Sequence, residues 1–367
     1  MKNISKIMKV GIAGFGVVGQ RRKSFIDRHP NLVTKAVCDI RFQKDGHLIK
    51  NTEFIYSELE KINLTKFYNG KLENGCNYYN NFKTLLENSD LDILFVCLPN
   101  YLASEVTIAA LEKKLHVFCE KPPGRNVEDI ENVIKIEKKN PKLKLKYGFN
   151  HRYHESIKEA KKIIDSNEFG EIINLRGIYG KSEIIPFSGG WRSKKEFSGG
   201  GILLDQGIHL LDMVRYYAGD FNEFKSFVSN DYWNHDVEDN AYAIMKNNNG
   251  CVATIHSTAT QWQHKFRLEI TLKNALLELS GILSGSKSYG EEKLKVIHRK
   301  RKSSVGSQSE STVHFLNDNS WEDEINEFVN IIIDDTDVVN GNSNDALKVM
   351  EMVYNIYSAD KNWFKKK

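Results

Sequence analysis

Ile7-Met8-Lys9-Val10-Gly11-Ile12-Ala13-Gly14-Phe15-Gly16-Val17-Val18-Gly19 is the stretch on which the fold turns. Ile7 to Ala13 is a short apolar run that suits a buried strand, and it leads through a G-x-G-x-x-G turn into a helical pattern reaching about Asp27. Each glycine has its own use. Gly14 permits the tight turn, Gly16 lets backbone amides approach a pyrophosphate, and Gly19 brings helix and strand together. Phe15, Val17 and Val18, between the glycines, belong to the same cofactor-binding turn. Leu32 to Cys38 reads as a second strand with Asp39 at its end, about 20 residues past Gly19, where a carboxylate accepts hydrogen bonds from an adenosine ribose. Glycine turns also serve flavin or adenosylmethionine sites and plain βαβ units, but the flanking strands and the acid select a dinucleotide. Arg41 suits a 2′-phosphate, which Asp39 would repel, so NAD is favoured and NADP is the alternative.

A chain of 367 residues suits two domains, and 40% apolar with 27% charged residues describes a soluble globular protein. The net charge of +4, which includes Lys365, Lys366 and Lys367, creates no strong field for nucleic acid or a membrane surface, so a small molecule is the expected partner. The five cysteines, Cys38, Cys76, Cys97, Cys119 and Cys251, lack metal-type or redox-type spacing. That usage fits a reducing, cytoplasmic compartment. Lys2, Lys6 and Lys9 ahead of Val10 to Val18 imitate a secretion signal, but glycines interrupt the apolar run and Arg21-Arg22-Lys23 follows it. No run approaches membrane-spanning length.

Residues 42 to 77 are polar without firm periodicity and read as a helix-and-loop insertion. Alternation then resumes. Phe82 to Asn88 and Ser104 to Lys113 read as helices, Leu91 to Leu98 and His116 to Cys119 as strands, followed by a helix from Val127 to Lys138 and a strand from Leu143 to Phe149. Such alternation implies a parallel sheet covered on both faces, with ligands at the carboxyl ends of its strands. Pro99-Asn100 and Glu120-Lys121-Pro122-Pro123 stand at two of those ends. Lys121, between a strand and a rigid Pro-Pro, is held in place, although it also reads as an ordinary surface lysine. Residues 1 to 149 therefore form the dinucleotide-binding domain.

After Asn150-His151-Arg152-Tyr153 and a helix to about Asp165 the pattern changes to consecutive strands, Ile172 to Tyr179, Phe224 to Val228, Ala241 to Met245, Cys251 to Ser257, Phe266 to Leu272 and Leu276 to Leu279. Residues 150 to 367 are thus expected to form a second domain around a large, mostly antiparallel sheet, giving a fold of α/β plus α+β class. Trp191 and Arg192 follow a glycine-rich loop and suit a cofactor ring or a substrate anion, or simple packing. Gly281 to Glu310, with the basic run Arg299 to Lys302, reads as a mobile hairpin or loop. Two helices, from about Ser320 to Ile333 and Asn344 to Ser358, close the chain, and the C-terminal one is able to pack back on the first domain.

Gly199-Gly200-Gly201 opens a helical stretch in which Asp205, His209 and Asp212 share one stripe. A carboxylate one turn from a histidine orients the imidazole and favours its protonated form, as a general base near neutral pH requires. The same spacing also describes a solvated surface pair. The glycines favour the first reading, because residues without Cβ admit another backbone or a ligand at close range.

Gly14 to Gly19, Pro99-Asn100, Glu120-Lys121-Pro122, Trp191-Arg192 and Gly199 to Asp212, in that order, resemble the Gfo/Idh/MocA family of NAD(P)-dependent oxidoreductases over nearly the whole chain. The resemblance implies a Rossmann domain followed by an open-faced antiparallel sheet. It also implies hydride transfer at a carbinol carbon of a sugar, inositol or nucleotide-linked sugar, with Lys121, Asp205 and His209 as the catalytic set and no metal. Pro99, Asn100, Glu120, Lys121, Trp191 and Arg192 then join the cofactor contacts. Asn150, Arg152 and Tyr153, with Lys121, Asp205 and His209, face the substrate. Where the family often has a histidine after Pro-Asn this chain has Ala103. Two other activities occur on this frame: a glycosidase using NAD for transient oxidation and elimination, and a non-enzymatic sugar sensor. The resemblance further implies a homodimer, or a tetramer of such dimers, paired through the second sheet.

Overall fold

The computed structural model describes residues 7–48, 69–72, 75–181, 190–284, 288–299 and 308–365. Those residues fall into two compact units. The first takes the described residues of Met1–Gly148, Pro186–Gly199 and Trp321–Leu347, the second those of Phe149–Ile185, Gly200–Ser320 and Lys348–Lys367. A single division at residue 149 thus becomes a chain that passes between units several times.

In the first unit the strands are β1 (Met8–Ala13), β2 (Leu32–Cys38), β3 (Asn69–Lys71), β4 (Asn77–Tyr79), β5 (Ile93–Val96), β6 (His116–Glu120) and β7 (Leu145–Gly148), in the spatial order β3-β4-β2-β1-β5-β6-β7. All neighbours are parallel except β3 and β4. Val10, Ile12, Ile93, Phe95 and Phe118 are fully buried in the core, as residues of a sheet covered on both faces must be. Parallel strands share one direction, so Gly14, Asp39, Pro99 and Lys121, which follow β1, β2, β5 and β6, gather along one edge. The helix expected from Ser104 begins earlier, at Asn100. The helix Ser320–Ile333 contributes Ile325, Phe328 and Val329 to this core, with Phe328 edge-on to Phe95 and Phe118. Of the expected helix-and-loop insertion, the described parts include the strands β3 and β4; residues 49–68, 73 and 74 lie outside the described residues.

The second unit is built on β8 (Ile172–Gly180), β9 (Phe221–Ser229), β10 (Asn240–Asn247), β11 (Val252–Thr258), β12 (Lys265–Leu272), β13 (Ala275–Ser280), β14 (Glu292–Arg299) and β15 (Gln308–Phe315). Among the described residues their order is β15-β14-β13-β12-β8-β11-β10-β9, antiparallel throughout except for β8 beside β11. One face carries the helix Ile208–Ala218, whose Leu210 lies so close over Gly177 that a Cβ there would come within 2.6 Å. Along β10 Ala241, Ala243 and Met245 point inward while Tyr242 and Ile244 are exposed, the two-residue alternation of a sheet with one open face. The segment expected to be a mobile hairpin or loop, Gly281 to Glu310, supplies β14 and the start of β15, which pair antiparallel as the hairpin reading requires. Their outward positions hold charges, such as the cross-strand pair Lys295 and Glu310 at 2.7 Å. Residues 300–307, with most of the basic run, lie outside the described residues. No helix among the described residues is long and apolar enough to cross a membrane.

Candidate active site

In the first unit, Gly14 has φ +91°, and a Cβ there would lie 2.2 Å from the Cys97 carbonyl oxygen; a Cβ on Gly19 would lie 2.0 Å from the Gly14 oxygen. Both are required by the close strand and helix. Gly16 differs. A Cβ on it would have only Arg41 Nη2 within 4 Å, at 3.8 Å, so its missing side chain keeps room above the turn. The helix Val17–Ile26 that starts there has no side-chain cap, and its first-turn amides are oriented for an anion. Asp39, buried at the end of β2, accepts from the Phe15 N–H at 2.9 Å and from Arg41 Nε and Nη2 at 2.8 Å each. The room, the amides and the carboxylate fit a dinucleotide.

Lys121 is half-buried and follows directly on Glu120, the last residue of β6; the Lys121–Pro122 peptide is cis. Glu120 is held by a guanidinium. Arg22, wholly buried between the rings of Phe118 and Trp321, donates from Nε to Glu120 at 2.6 Å and from Nη2 to Glu324 at 2.6 Å. Burial pushes the Glu324 carboxyl up to about 7, Arg22 pulling against it and the Glu120 charge adding to it. Asn100 spends its amide on the Ser198 carbonyl at 2.7 Å, and Pro99 is buried beside it. Arg192 lies over its neighbour Trp191, 4.3 Å from the ring centre.

In the second unit, a π-helical turn, Leu203–Gly207, runs into the helix Ile208–Ala218. The buried carboxylate of Glu238 accepts from the N–H groups of Gly201 and Leu203 at 2.7 and 2.9 Å and from the Tyr357 hydroxyl at 2.7 Å. A Cβ on Gly201 would lie 2.0 Å from the Glu238 carbonyl oxygen and one on Gly200 2.3 Å from the Tyr357 hydroxyl. Of the two uses open to these glycines, close approach of protein is thus the one observed at Gly200 and Gly201. Asp205 sits in the π turn, a form of helix that recurs at functional sites. His209 follows on the helix and is buried.

The single polar stripe breaks down at its far end. Asp212 is fully buried and takes both Arg152 Nε and Nη2, at 2.8 and 2.6 Å, so Arg152, expected at the substrate, is committed to a buried ion pair. Asn150 is likewise engaged, with His151 at 3.2 Å and Ser320 at 3.3 Å, and Tyr153 is buried. Sequence reasoning passed over His151, whose ring stacks on that of His209 with centroids 3.7 Å apart. It also passed over Tyr179, bonded to His151 at 2.9 Å and its phenol raised well above the usual range by burial. The stretch Asn150 to Tyr153 drew notice, but no spacing ties position 151 to 209. Lys121 belongs to the first unit, Asp205 and His209 to the second.

A model for the NAD-binding Rossmann fold of an oxidoreductase family matches residues 8–149, and the model of the same family's C-terminal domain matches residues 157–278. The chain belongs to the GFO/IDH/MocA oxidoreductase family. Its first unit is accordingly an NAD-binding Rossmann domain. Among GFO/IDH/MocA relatives, the levoglucosan dehydrogenase of Pseudarthrobacter phenanthrenivorans is 30% identical over 157 residues, 42% of this chain and 40% of that protein. The myo-inositol 2-dehydrogenase of Thermotoga maritima is 26% identical over 269 residues, 72% of each chain. A solved structure of levoglucosan dehydrogenase with NADH matches the fold with a TM-score of 0.75 at 19% identity, covering 97% of both chains.

Proposed function

We propose that the chain is an NAD-dependent dehydrogenase that moves a hydride between the nicotinamide and a carbinol carbon of a sugar, inositol or nucleotide-linked sugar. The observation that carries this reading is a phosphate-ready turn at Gly16 in the same chain as a buried helix histidine, His209, whose helix is anchored by Glu238. The named substrates of the relatives, levoglucosan and myo-inositol, are polyhydroxylated rings and support the substrate class.

Bound NAD supplies the hydride acceptor for oxidation, and as NADH the donor for reduction. Gly14 to Gly19 hold its phosphates, Asp39 and Arg41 its adenosine ribose, with Pro99, Asn100, Glu120, Trp191 and Arg192 completing the cofactor side. As the C–H bond of the carbinol breaks, its O–H proton must leave. His209 Nε2 or Nδ1 takes that proton, Asp205 orients the ring, and the Lys121 ammonium steadies the oxygen as charge develops on it. Asn150 and Tyr153 shape the substrate side, while Arg152 holds the helix through Asp212. The cysteines, which lack metal-type and redox-type spacing, support a reducing, cytoplasmic setting. The open face of the second sheet supports pairing of two copies.

The reading is tested by offering levoglucosan, inositols, free sugars and nucleotide sugars with NAD and with NADP, and following the nicotinamide absorbance. Cofactor reduction with at least one polyol is expected, faster with NAD. Release of product from a glycoside without net reduction would refute simple dehydrogenation.

A further inference from the structure

The ring of His209 lies flat on that of His151, planes 14° from parallel and centroids 3.7 Å apart, and both imidazoles are buried. His151 is fixed from two sides. Its Nδ1 is 3.2 Å from Asn150 Oδ1 and its Nε2 2.9 Å from the Tyr179 hydroxyl. An amide oxygen only accepts, so Nδ1 carries hydrogen, and in the neutral ring Nε2 accepts from Tyr179. Burial keeps that phenol protonated.

Two imidazoles in this geometry take one proton far more readily than two, because a second cation would face the first away from water. The other charged and titratable groups around the stack are largely spoken for. Arg152 is paired with Asp212; His154, its ring 5.4 Å from His151, holds Glu292 at 2.8 Å; Tyr289 packs edge-on to Tyr179 at 5.3 Å. Asp205, one turn before His209 in the chain, acts on Tyr179 and Tyr289 and places a negative charge near the pair.

We propose that His151 is a positioning residue for His209, a tautomer-fixed ring that sets the plane of the base and makes the two imidazoles titrate as a pair holding one proton. Its catalytic meaning rests on His209 being the proton acceptor; the titration does not.

The full-length protein, labelled at histidine and titrated by NMR without nucleotide or sugar, tests it in the wild type, His209→Asn and His151→Phe. His151 should take its proton about one pH unit or more lower in the wild type than in His209→Asn, where the like charge is gone. His209 in His151→Phe should titrate in one step. Identical titration of His151 in the wild type and His209→Asn overturns the proposal. On turnover, His151→Ala should lower kcat about tenfold with KM little changed, and His151→Phe, which restores a flat ring, should recover most of it. Phe no better than Ala overturns the positioning role. Normal kcat in His209→Asn with the NMR shift present would refute the proposed function and leave the coupled pair standing.

Discussion

The carboxylate of Glu238 accepts the backbone N–H of Gly201 at 2.7 Å, and its other oxygen accepts that of Leu203, so one side chain fixes the start of the helix that carries His209. Gly201→Ala puts a methyl 2.0 Å from the Glu238 carbonyl oxygen, which backbone movement alone can relieve. A loss of roughly 2 kcal/mol or more is expected, read as a lowered denaturation midpoint. Glu238→Gln should cost about 1–3 kcal/mol, because an amide cannot accept at both oxygens and leaves a buried donor unmet. Wild-type midpoints in both variants would show that the anchor is not holding the helix.

Arg22, Glu120 and Glu324 set two carboxylates on one buried guanidinium. Burial lifts Glu324 to about 7 from an ordinary value of 4.5, so the folded chain binds that proton more tightly than the unfolded chain. The stabilisation from this group is then full below about pH 4.5 and is lost as pH rises through about 7, by up to about 3 kcal/mol. Urea titrations at about pH 5 and about pH 8 should show the wild type losing stability between them relative to Glu324→Gln. Parallel behaviour of the two proteins would mean that Glu324 is ionised throughout.

Arg41 occupies both oxygens of Asp39, the carboxylate assigned to the adenosine ribose. Asp39→Ala should weaken NADH binding about tenfold or more, since the lost bonds go to ribose hydroxyls, and should affect NADPH far less. Arg41→Ala should remove what affinity there is for NADPH, whose 2′-phosphate needs a cation. Fluorescence titration of both nucleotides decides it. Tighter NADPH than NADH binding by the wild type would reverse the cofactor preference.

On the open face of the second sheet Phe227, Tyr242 and Ile244 are 79%, 49% and 55% exposed, Tyr242 standing opposite Phe227 across β9 and β10. His256, stacked on Tyr242 with centroids 3.9 Å apart, is lowered to about 4 by burial and adds no charge there at neutral pH. Such a face suits self-complementary pairing. Sedimentation at micromolar concentration should show a dimer or tetramer, and Ile244→Glu should dissociate it. A wild-type species near the monomer mass of 42.1 kDa alone would refute pairing.

Backbone periodicity and turn chemistry were legible where burial and residue type coincide. β1, β2 and β6 are apolar runs ending at a glycine turn, an aspartate and Glu120-Lys121, and strands and motif were readable together. Legibility failed where charge hides burial. β14 and β15 carry Lys293, Lys295 and Glu310 outward, so their stretch left hairpin and loop both open. Arg22, Arg152, Glu238 and Glu324 are ionisable residues whose partners lie 60 or more, or some 30 to 40, positions away in the chain, and no local spacing reports such pairs. His151 shares this property, since only the packed unit brings it onto His209.

Lys121 belongs to the first unit and His209 to the second, and the proposed hydride transfer assigns each a part in it. Kinetics of Lys121→Ala, His209→Asn and the double variant on one reactive polyol test it most directly. Each single substitution should lower kcat about 100-fold or more, with loss of the low-pH limb of the rate profile in His209→Asn. The double variant should then lose far less than the product of the two, because groups acting as a unit are not additive. Near-normal turnover in Lys121→Ala, or strictly multiplicative losses in the double variant, would contradict the proposed assignment of both residues to one hydride transfer.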